Sequence, residues 1–166
     1  YGIGELATRR LIDDGCRRIL CLRSNSRMRM PANKRTDAYL DVVEQAGLSA
    51  LVREVEFVKP DDEKGAVVAK ILDENPDIDG IFAGDATMAA ICLNVMKQRG
   101  LSAPDDIKVV GADGARRTMT FMPDLTTVRQ DIDRIGELAA QSIIALINGD
   151  NPESNIKLPV ELIEGK

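Results

Sequence analysis

Apolar residues recur every three or four positions in five stretches of the chain, and shorter apolar runs lie between these stretches. The first pattern predicts helices at 3–14, 34–45, 61–75, 86–99 and 132–148. The second predicts strands at 17–22, 50–58, 78–83, 107–111 and 156–163. Because the two kinds of element alternate along short connections, the sequence predicts an α/β fold with a parallel sheet and right-handed crossovers.

The size and composition are those of an ordinary globular domain. The chain has 166 residues, of which 44% are hydrophobic and 30% are charged. No apolar run approaches the roughly 20 residues of a membrane-spanning helix, so we expect no membrane partner. The chain starts at Tyr1, without an initiator methionine or a signal-peptide pattern. We therefore expect it to be a piece of a longer protein.

Charge and cysteine content restrict the partners of this piece. The formal net charge is -5, and basic residues are concentrated only between positions 23 and 35. We therefore expect the piece itself not to bind nucleic acid. Cys16, Cys21 and Cys92 lack metal-ligand spacing, and the chain contains no histidine that could complete a metal site. We expect all three to be core residues of a cytoplasmic protein, with no metal.

Two aspartates follow two of the predicted strands. Asp85 follows the strand at 78–83, and Asp113 follows the strand at 107–111. The carboxyl ends of parallel strands form the edge of the sheet where ligands bind. Arg35 begins the second helix and could donate to sugar oxygens, while Phe57 ends a strand and could cover a sugar ring.

These four residues describe a polyol site, since carboxylates accept hydrogen bonds from hydroxyl groups. The alternatives are structural: an aspartate here is often a turn former or a helix N-cap, an arginine is often solvated, and a strand phenylalanine is often core. The absence of histidine excludes Ser-His-Asp and Cys-His nucleophiles. Residues 111–114 lack the third glycine of a dinucleotide fingerprint. We therefore expect neither an enzyme nor a cofactor.

Several motifs together resemble the lactose-repressor/galactose-repressor family. They are Ile81-Phe82-Ala83-Gly84-Asp85-Ala86-Thr87-Met88-Ala89, Arg99-Gly100-Leu101, Pro104-Asp105-Asp106-Ile107, Val109-Val110-Gly111-Ala112-Asp113 and Pro123-Asp124-Leu125-Thr126-Thr127-Val128-Arg129-Gln130. The ending Asp113-Gly114 is similar to that of sucrose-operon regulators. The resemblance extends over nearly all of the chain.

The resemblance implies a Rossmann-like, three-layer lobe of the kind found in periplasmic sugar-binding proteins. Residues 1–124 would form the C-terminal lobe of an effector-binding core, and residues 125–152 a crossover segment and helix of the other lobe. Residues 153–166 would form the returning strand. The N-terminal helix-turn-helix head and most of the first lobe would lie outside this chain.

The implied function is that of the ligand-sensing, dimerising core of a transcription repressor. A small effector, expected to be a sugar, would bind in the cleft between the lobes, and operator DNA would bind only to the missing head. Arg35, Phe57, Asp85 and Asp113 fall on the family's effector-binding positions. Because many members carry Asn at the position of Asp85, and because Ala112, Ala38, Cys16 and Ala86 depart from common family residues, the effector identity is not carried over.

Three other readings remain. The first is a sugar-binding component of a periplasmic transport system, which shares the fold and the logic of the pocket. The second is a phospho-accepting receiver domain, which would need a companion acidic pair and a later lysine. The third is an enzyme, for which two carboxylates without an acid–base partner provide no mechanism.

Two helices have apolar faces from which we derive expectations about assembly. The resemblance implies that the 86–99 helix meets its counterpart in a homodimer, with Met88, Ile91, Cys92 and Val95 at the interface. The alternative is a fully buried helix. The 132–148 helix would lie on the missing lobe, so in this chain we expect it to dock on a neighbour, to be exchanged between two copies, or to fold back onto its own sheet.

Overall fold

The computed structural model describes residues 1–25, 32–56, 58–114 and 120–166. Helices and strands alternate through most of these residues, as the sequence predicts. The helices are α1 Gly2–Asp13, α2 Ala32–Gln45, α3 Asp61–Glu74, α4 Ala86–Gln98 and α5 Ile132–Ile147. The strands are β1 Ile19–Asn25, β2 Leu51–Glu56, β3 Gly80–Ala83, β4 Lys108–Ala112, β5 Thr126–Gln130 and β6 Val160–Ile163.

The described strands form one sheet in the order β2-β1-β3-β4-β5-β6. The strands β1 to β5 are parallel, and β6 pairs antiparallel with β5 at the edge. This arrangement confirms the predicted α/β fold with a mostly parallel sheet. The strand β5 is the exception, because the family resemblance placed it within the segment 125–152 that crosses to the other lobe, whereas it pairs with β4 in the sheet.

Helices cover both faces of the sheet, which gives three layers. On one face, α1 and α2 pack with Phe82 and Val110 in a buried cluster. On the other face, α3 and α4 pack with Ile81 and Val109. Neighbouring residues of a strand point to opposite faces, so a strand buried on both faces has a continuous apolar run and no alternation.

A single tyrosine fixes α2 against the sheet. Tyr39 is fully buried, and its hydroxyl donates to the carbonyl of Ile19 at 2.7 Å and accepts from the amide of Leu51 at 2.8 Å. One side chain on α2 therefore satisfies backbone groups of both β1 and β2. This contact ties α2 to β1 and β2, and the first turn of α2 is held near the sheet as a result.

The four residues expected at a dimer interface lie inside the protein. Met88, Ile91, Cys92 and Val95 are between 0% and 7% exposed and belong to the core between the sheet, α3 and α4. Side chains buried in their own chain have almost no surface left for a partner. This burial argues against an interface at these positions. The alternative of a fully buried helix does not hold either, because Thr87, Asn94 and Lys97 of α4 are exposed. Whether the protein is a dimer remains a prediction.

The helix α5 has no core of its own in the described chain. None of its residues is buried, and its apolar residues stay accessible to solvent, with Ile147 at 79% exposure. The expectation that this helix folds back onto its own sheet is therefore wrong. Docking on a neighbouring chain or by exchange between copies stays a prediction.

The three cysteines are free and buried, as the sequence predicts. Burial raises the pKa of Cys21 and Cys92 to about 12, so these thiols stay protonated at neutral pH. Among the described residues, none of the helices combines the length and hydrophobicity that crossing a lipid bilayer requires.

Candidate functional site

Polar side chains from four strands meet at the carboxyl edge of the sheet. Ser24 lies near the end of β1, Asp85 and Asp113 follow β3 and β4, and Gln130 ends β5. The helix α2 begins at the same edge and contributes Arg35. Since β1, β3, β4 and β5 are parallel neighbours, their carboxyl ends necessarily lie side by side.

Arg35 and Asp113 form a bidentate pair. The Arg35 Nη1 and Nη2 atoms donate to the two carboxylate oxygens of Asp113 at 2.9 and 2.6 Å. Nη1 also donates to the carbonyl of Gly84 at 2.6 Å. The side chain of Arg35 is 12% exposed and that of Asp113 is 34% exposed. Arg35 therefore joins the ends of β3 and β4, and it leaves the Asp113 carboxylate partly open to solvent.

The backbone at Asp113 has an unusual conformation. Its φ angle is +61°, in the left-handed region that non-glycine residues rarely adopt. Gly114 follows, and a Cβ atom there would lie 2.5 Å from Cγ2 of Thr127. The sequence Asp-Gly thus permits a tight exit from β4 that aims the carboxylate at Arg35. Unusual backbone conformations of this kind concentrate at functional sites.

Asp85 has a structural task in addition to any role in binding. Its Oδ1 atom accepts from the amide of Met88 at 2.8 Å, which caps the N-terminus of α4. Its Oδ2 atom accepts from the hydroxyl of Ser24 at 2.8 Å. The N-cap reading left open by the sequence is therefore what the geometry shows. A carboxylate has about four acceptor positions, so lone pairs remain for a ligand.

Ser24 and Gln130 are site residues that the sequence reasoning missed. Gln130 donates from Nε2 to Oδ1 of Asp113 at 2.5 Å. The rule that strand ends carry the ligand site would have included both residues. However, the predicted β1 stopped at position 22, and β5 was not recognised as a strand. Phe57, the fourth predicted residue, lies outside the described residues.

The arrangement is suited to recognition of hydroxyl groups. Arg35 and Gln130 are bonded to the Asp113 carboxylate, and Ser24 is bonded to the Asp85 carboxylate. Together these groups supply both acceptors and donors at one edge of the sheet, which matches a polyol. The structure brings Arg35 together with Asp113 and with Gly84, the neighbour of Asp85.

Comparison with known proteins gives consistent results. The family model described as a periplasmic binding protein-like domain matches residues 8–166. The chain is 33% identical over 162 residues to the sucrose operon repressor of Lactococcus lactis subsp. lactis, covering 98% of this chain and 49% of that protein. It is also 33% identical over 143 residues to the ribose operon repressor of Halalkalibacterium halodurans, covering 86% of this chain and 42% of that protein.

A solved structure shows the same fold. The complex of the transcriptional regulator CelR with cellobiose is 29% identical, with a TM-score of 0.85, over 99% of this chain and 51% of that chain. The chain spans about half the length of the curated relatives that it matches. On these matches, the chain belongs to the periplasmic binding protein-like domain family, in the form found in regulators of the lactose-repressor/galactose-repressor family.

Proposed function

We propose that this chain is the effector-sensing part of a transcription repressor, and that it binds a sugar at the carboxyl edge of its sheet. The observation that carries the proposal is the bidentate pair of Arg35 and Asp113, with Asp113 partly exposed at the point where β3, β4 and β5 end. In this proposal Asp113 accepts from sugar hydroxyls, and Arg35 orients the carboxylate and donates to sugar oxygens. Asp85 supplies a second acceptor.

The names of relatives support a sugar as the effector class. Two relatives are repressors of sucrose and ribose operons, and the solved relative is a cellobiose complex. The effector of this protein then belongs among small mono- or disaccharides. Operator DNA would be bound by a head outside the described lobe, since this chain corresponds to about half of each relative.

The division into lobes follows from the same proposal. Residues 1–130 and 153–166 would form one lobe, and residues 131–152 would cross to the other, since β5 is paired within the sheet. The strand β5 completes the sheet of this lobe before the chain enters α5. The exposed apolar face of α5 would then be covered by the other lobe, with the sugar between the two lobes. Sugar binding would favour the closed arrangement over the open one, which is the differential affinity that a switch requires.

The proposal also covers the location, the assembly and the activity of the protein. We propose a cytoplasmic homodimer without enzymatic activity, in which lobe rotation changes the affinity for operator DNA. The surface that joins the two copies would have to lie outside the buried positions of α4.

Calorimetric titration of the complete protein with sucrose, ribose and cellobiose tests the proposal. We expect at least one sugar to bind, and the Asp113→Asn variant to bind it at least about tenfold more weakly, because hydrogen bonds to charged groups contribute ~1.5–3 kcal/mol. Asparagine tolerates a positive φ, so the backbone is preserved. Asp77→Asn is the matched control, since the Asp77 side chain is 65% exposed and lies before β3, at the opposite end of that strand from Asp85.

A second measurement separates a repressor from a transport component. A DNA fragment selected in vitro by the complete protein should bind with an affinity that changes when the sugar is added. Sugar binding without any DNA complex would favour the transport reading. Binding of none of the three sugars, or equal binding by the wild type and Asp113→Asn, would overturn the proposed site.

A further inference from the structure

Gln130 occupies the place where the candidate sugar site meets the segment that leads to α5. It is the last residue of β5, and the next residue, Asp131, accepts from the amide of Arg134 at 2.9 Å and caps α5. The side chain of Gln130 meanwhile reaches Asp113. The side chain of Gln130 therefore contacts the Asp113 carboxylate, and its backbone directly precedes the N-cap of α5.

The Asp113 carboxylate is nearly saturated by its protein partners. Its Oδ1 atom accepts from Gln130 Nε2 at 2.5 Å and from Arg35 Nη2 at 2.6 Å, and its Oδ2 atom accepts from Arg35 Nη1. A carboxylate has about four acceptor positions, so roughly one remains free. A ligand that presents two adjacent hydroxyls to Asp113 must therefore displace a donor. Gln130 is the neutral donor and the easier one to displace, because bonds from a guanidinium are stronger.

A second feature places Gln130 beside the helix that would move. Gln130 and Asp131 line a cavity of about 390 Å³ together with Ile135 and Leu138 of α5 and with Val160 of β6. The backbone of Gln130 is paired with Val160 in the sheet. The helix itself has no buried residue, so few contacts within the described chain resist its reorientation.

We infer that Gln130 is a positioning residue whose hydrogen bond to Asp113 couples occupancy of the sugar site to the orientation of α5. In the empty site the amide of Gln130 is bonded to Asp113, and this bond fixes the connection between β5 and α5. When a sugar hydroxyl replaces the amide on Asp113, that connection is released. This inference rests on the proposed function, because it assigns the regulation of the same site.

Hydrogen exchange of the complete protein measures the coupling. We expect saturating sugar, taken from sucrose, ribose or cellobiose, to change the exchange of amides in 131–148 of the wild type. At a sugar concentration that saturates it, the Gln130→Ala variant should lose most of that change, since coupling between sites commonly amounts to a factor of five or more. Gln141→Ala is the matched control, because Gln141 also donates to a carboxylate, that of Glu137, at an exposed position of α5.

A charge variant tests the contact without any sugar. Gln130→Glu places a carboxyl group against Asp113, with Arg35, Asp131 and Glu153 as the other charged groups nearby. Two adjacent carboxylates raise the pKa of one of them above the usual value of about 4.3. The folded variant then holds a proton that the unfolded chain releases, so its stability relative to wild type falls as pH rises from about 4 to 7. Gln141→Glu should show a much smaller change.

Each outcome decides the inference. A Gln130→Ala variant that responds to sugar like the wild type overturns the coupling. A variant that loses sugar binding as completely as Asp113→Asn makes Gln130 a direct ligand contact and also overturns it. Equal pH dependence of Gln130→Glu and Gln141→Glu overturns the contact on which the inference depends. Failure of the wild type to bind any of the sugars overturns the proposed function, and the coupling with it. If the wild type binds a sugar and Gln130→Ala responds to it in the same way, only the coupling is overturned and the proposed function stands.

Discussion

The guanidinium of Arg35 and the carboxylate of Asp113 are 78 positions apart in the chain and meet through two parallel hydrogen bonds of 2.9 and 2.6 Å. The pair links the first turn of α2 to the exit from β4. It is largely removed from solvent on the arginine side, where Arg35 is 12% exposed. The same pair therefore contributes to stability and defines the candidate site.

Replacing Arg35 by lysine should lower the free energy of unfolding by about 1–3 kcal/mol, because an ammonium group cannot reproduce the planar fork that serves both Asp113 oxygens and the buried Gly84 carbonyl. Urea denaturation of the wild type and the variant measures this difference. Arg129→Lys is the control, since the pair of Arg129 with Glu161 is exposed on both sides. Its effect should stay within about 0.5 kcal/mol. Equal losses in the two variants would show that the Arg35 pair behaves as an ordinary surface pair.

Replacing Asp85 by alanine should lower the free energy of unfolding by about 1 kcal/mol, because the cap on the amide of Met88 is lost. Asp85→Asn should retain most of the cap, since asparagine is an equally good N-cap residue. The two variants, compared by thermal unfolding, separate the structural role from the binding role. A sugar affinity lowered in both variants alike would assign the carboxylate charge to binding, whereas an unchanged affinity in Asp85→Asn would leave Asp85 with a capping role only.

Alkaline pH should destabilise the protein. Burial raises the pKa of Cys21 and Cys92 from 9.0 to about 12, while in the unfolded chain these thiols ionise normally. Their stabilising contribution is complete below the unfolded pKa and declines as pH rises towards the folded pKa. Each thiol then lowers the free energy of unfolding by ~1.4 kcal/mol per pH unit between about pH 9 and 12. In Cys92→Ala the slope of stability against pH should be smaller. An identical slope would exclude this thiol as its source.

The exposed face of α5 should make the described chain self-associate when it is separated from the rest of the protein. Ile143, Ile144 and Ile147 are between 57% and 79% exposed, and contiguous apolar patches of this kind promote association. Replacing the three by lysine should leave the urea midpoint nearly unchanged, because α5 has no buried residue, and should reduce association in analytical ultracentrifugation. A large loss of stability in the triple variant would show that the face is packed in solution.

Much of the architecture was predictable because local patterns carried it. The periodicities placed the helices within about two residues of their ends, as for α3, which was expected at 61–75 and runs from Asp61 to Glu74. The strand-end positions of Asp85 and Asp113 indicated the correct edge of the sheet. The order of alternation predicted parallel pairing.

Other features depended on contacts between distant parts of the chain. Ser24 and Gln130 became site residues only because β1 is longer than its apolar run and because β5 pairs with β4. Met88, Ile91, Cys92 and Val95 looked like surplus apolar surface on one helix, yet the sheet and α3 together bury all of them. A single sequence shows how apolar a helix is but not how many neighbours surround it.

The sequence by itself determined which segments form helices and strands, and which polar residues lie at the carboxyl edge of the sheet, because these depend on spacing along the chain. Tertiary structure decided that Arg35 holds Asp113 with two bonds, that Gln130 shares the same carboxylate, and that α5 remains uncovered. The two contacts to Asp113 depend on the strand order, which brings the ends of β3, β4 and β5 together, and on the positive φ of Asp113. The periodicity within each segment does not specify the order of the strands in the sheet.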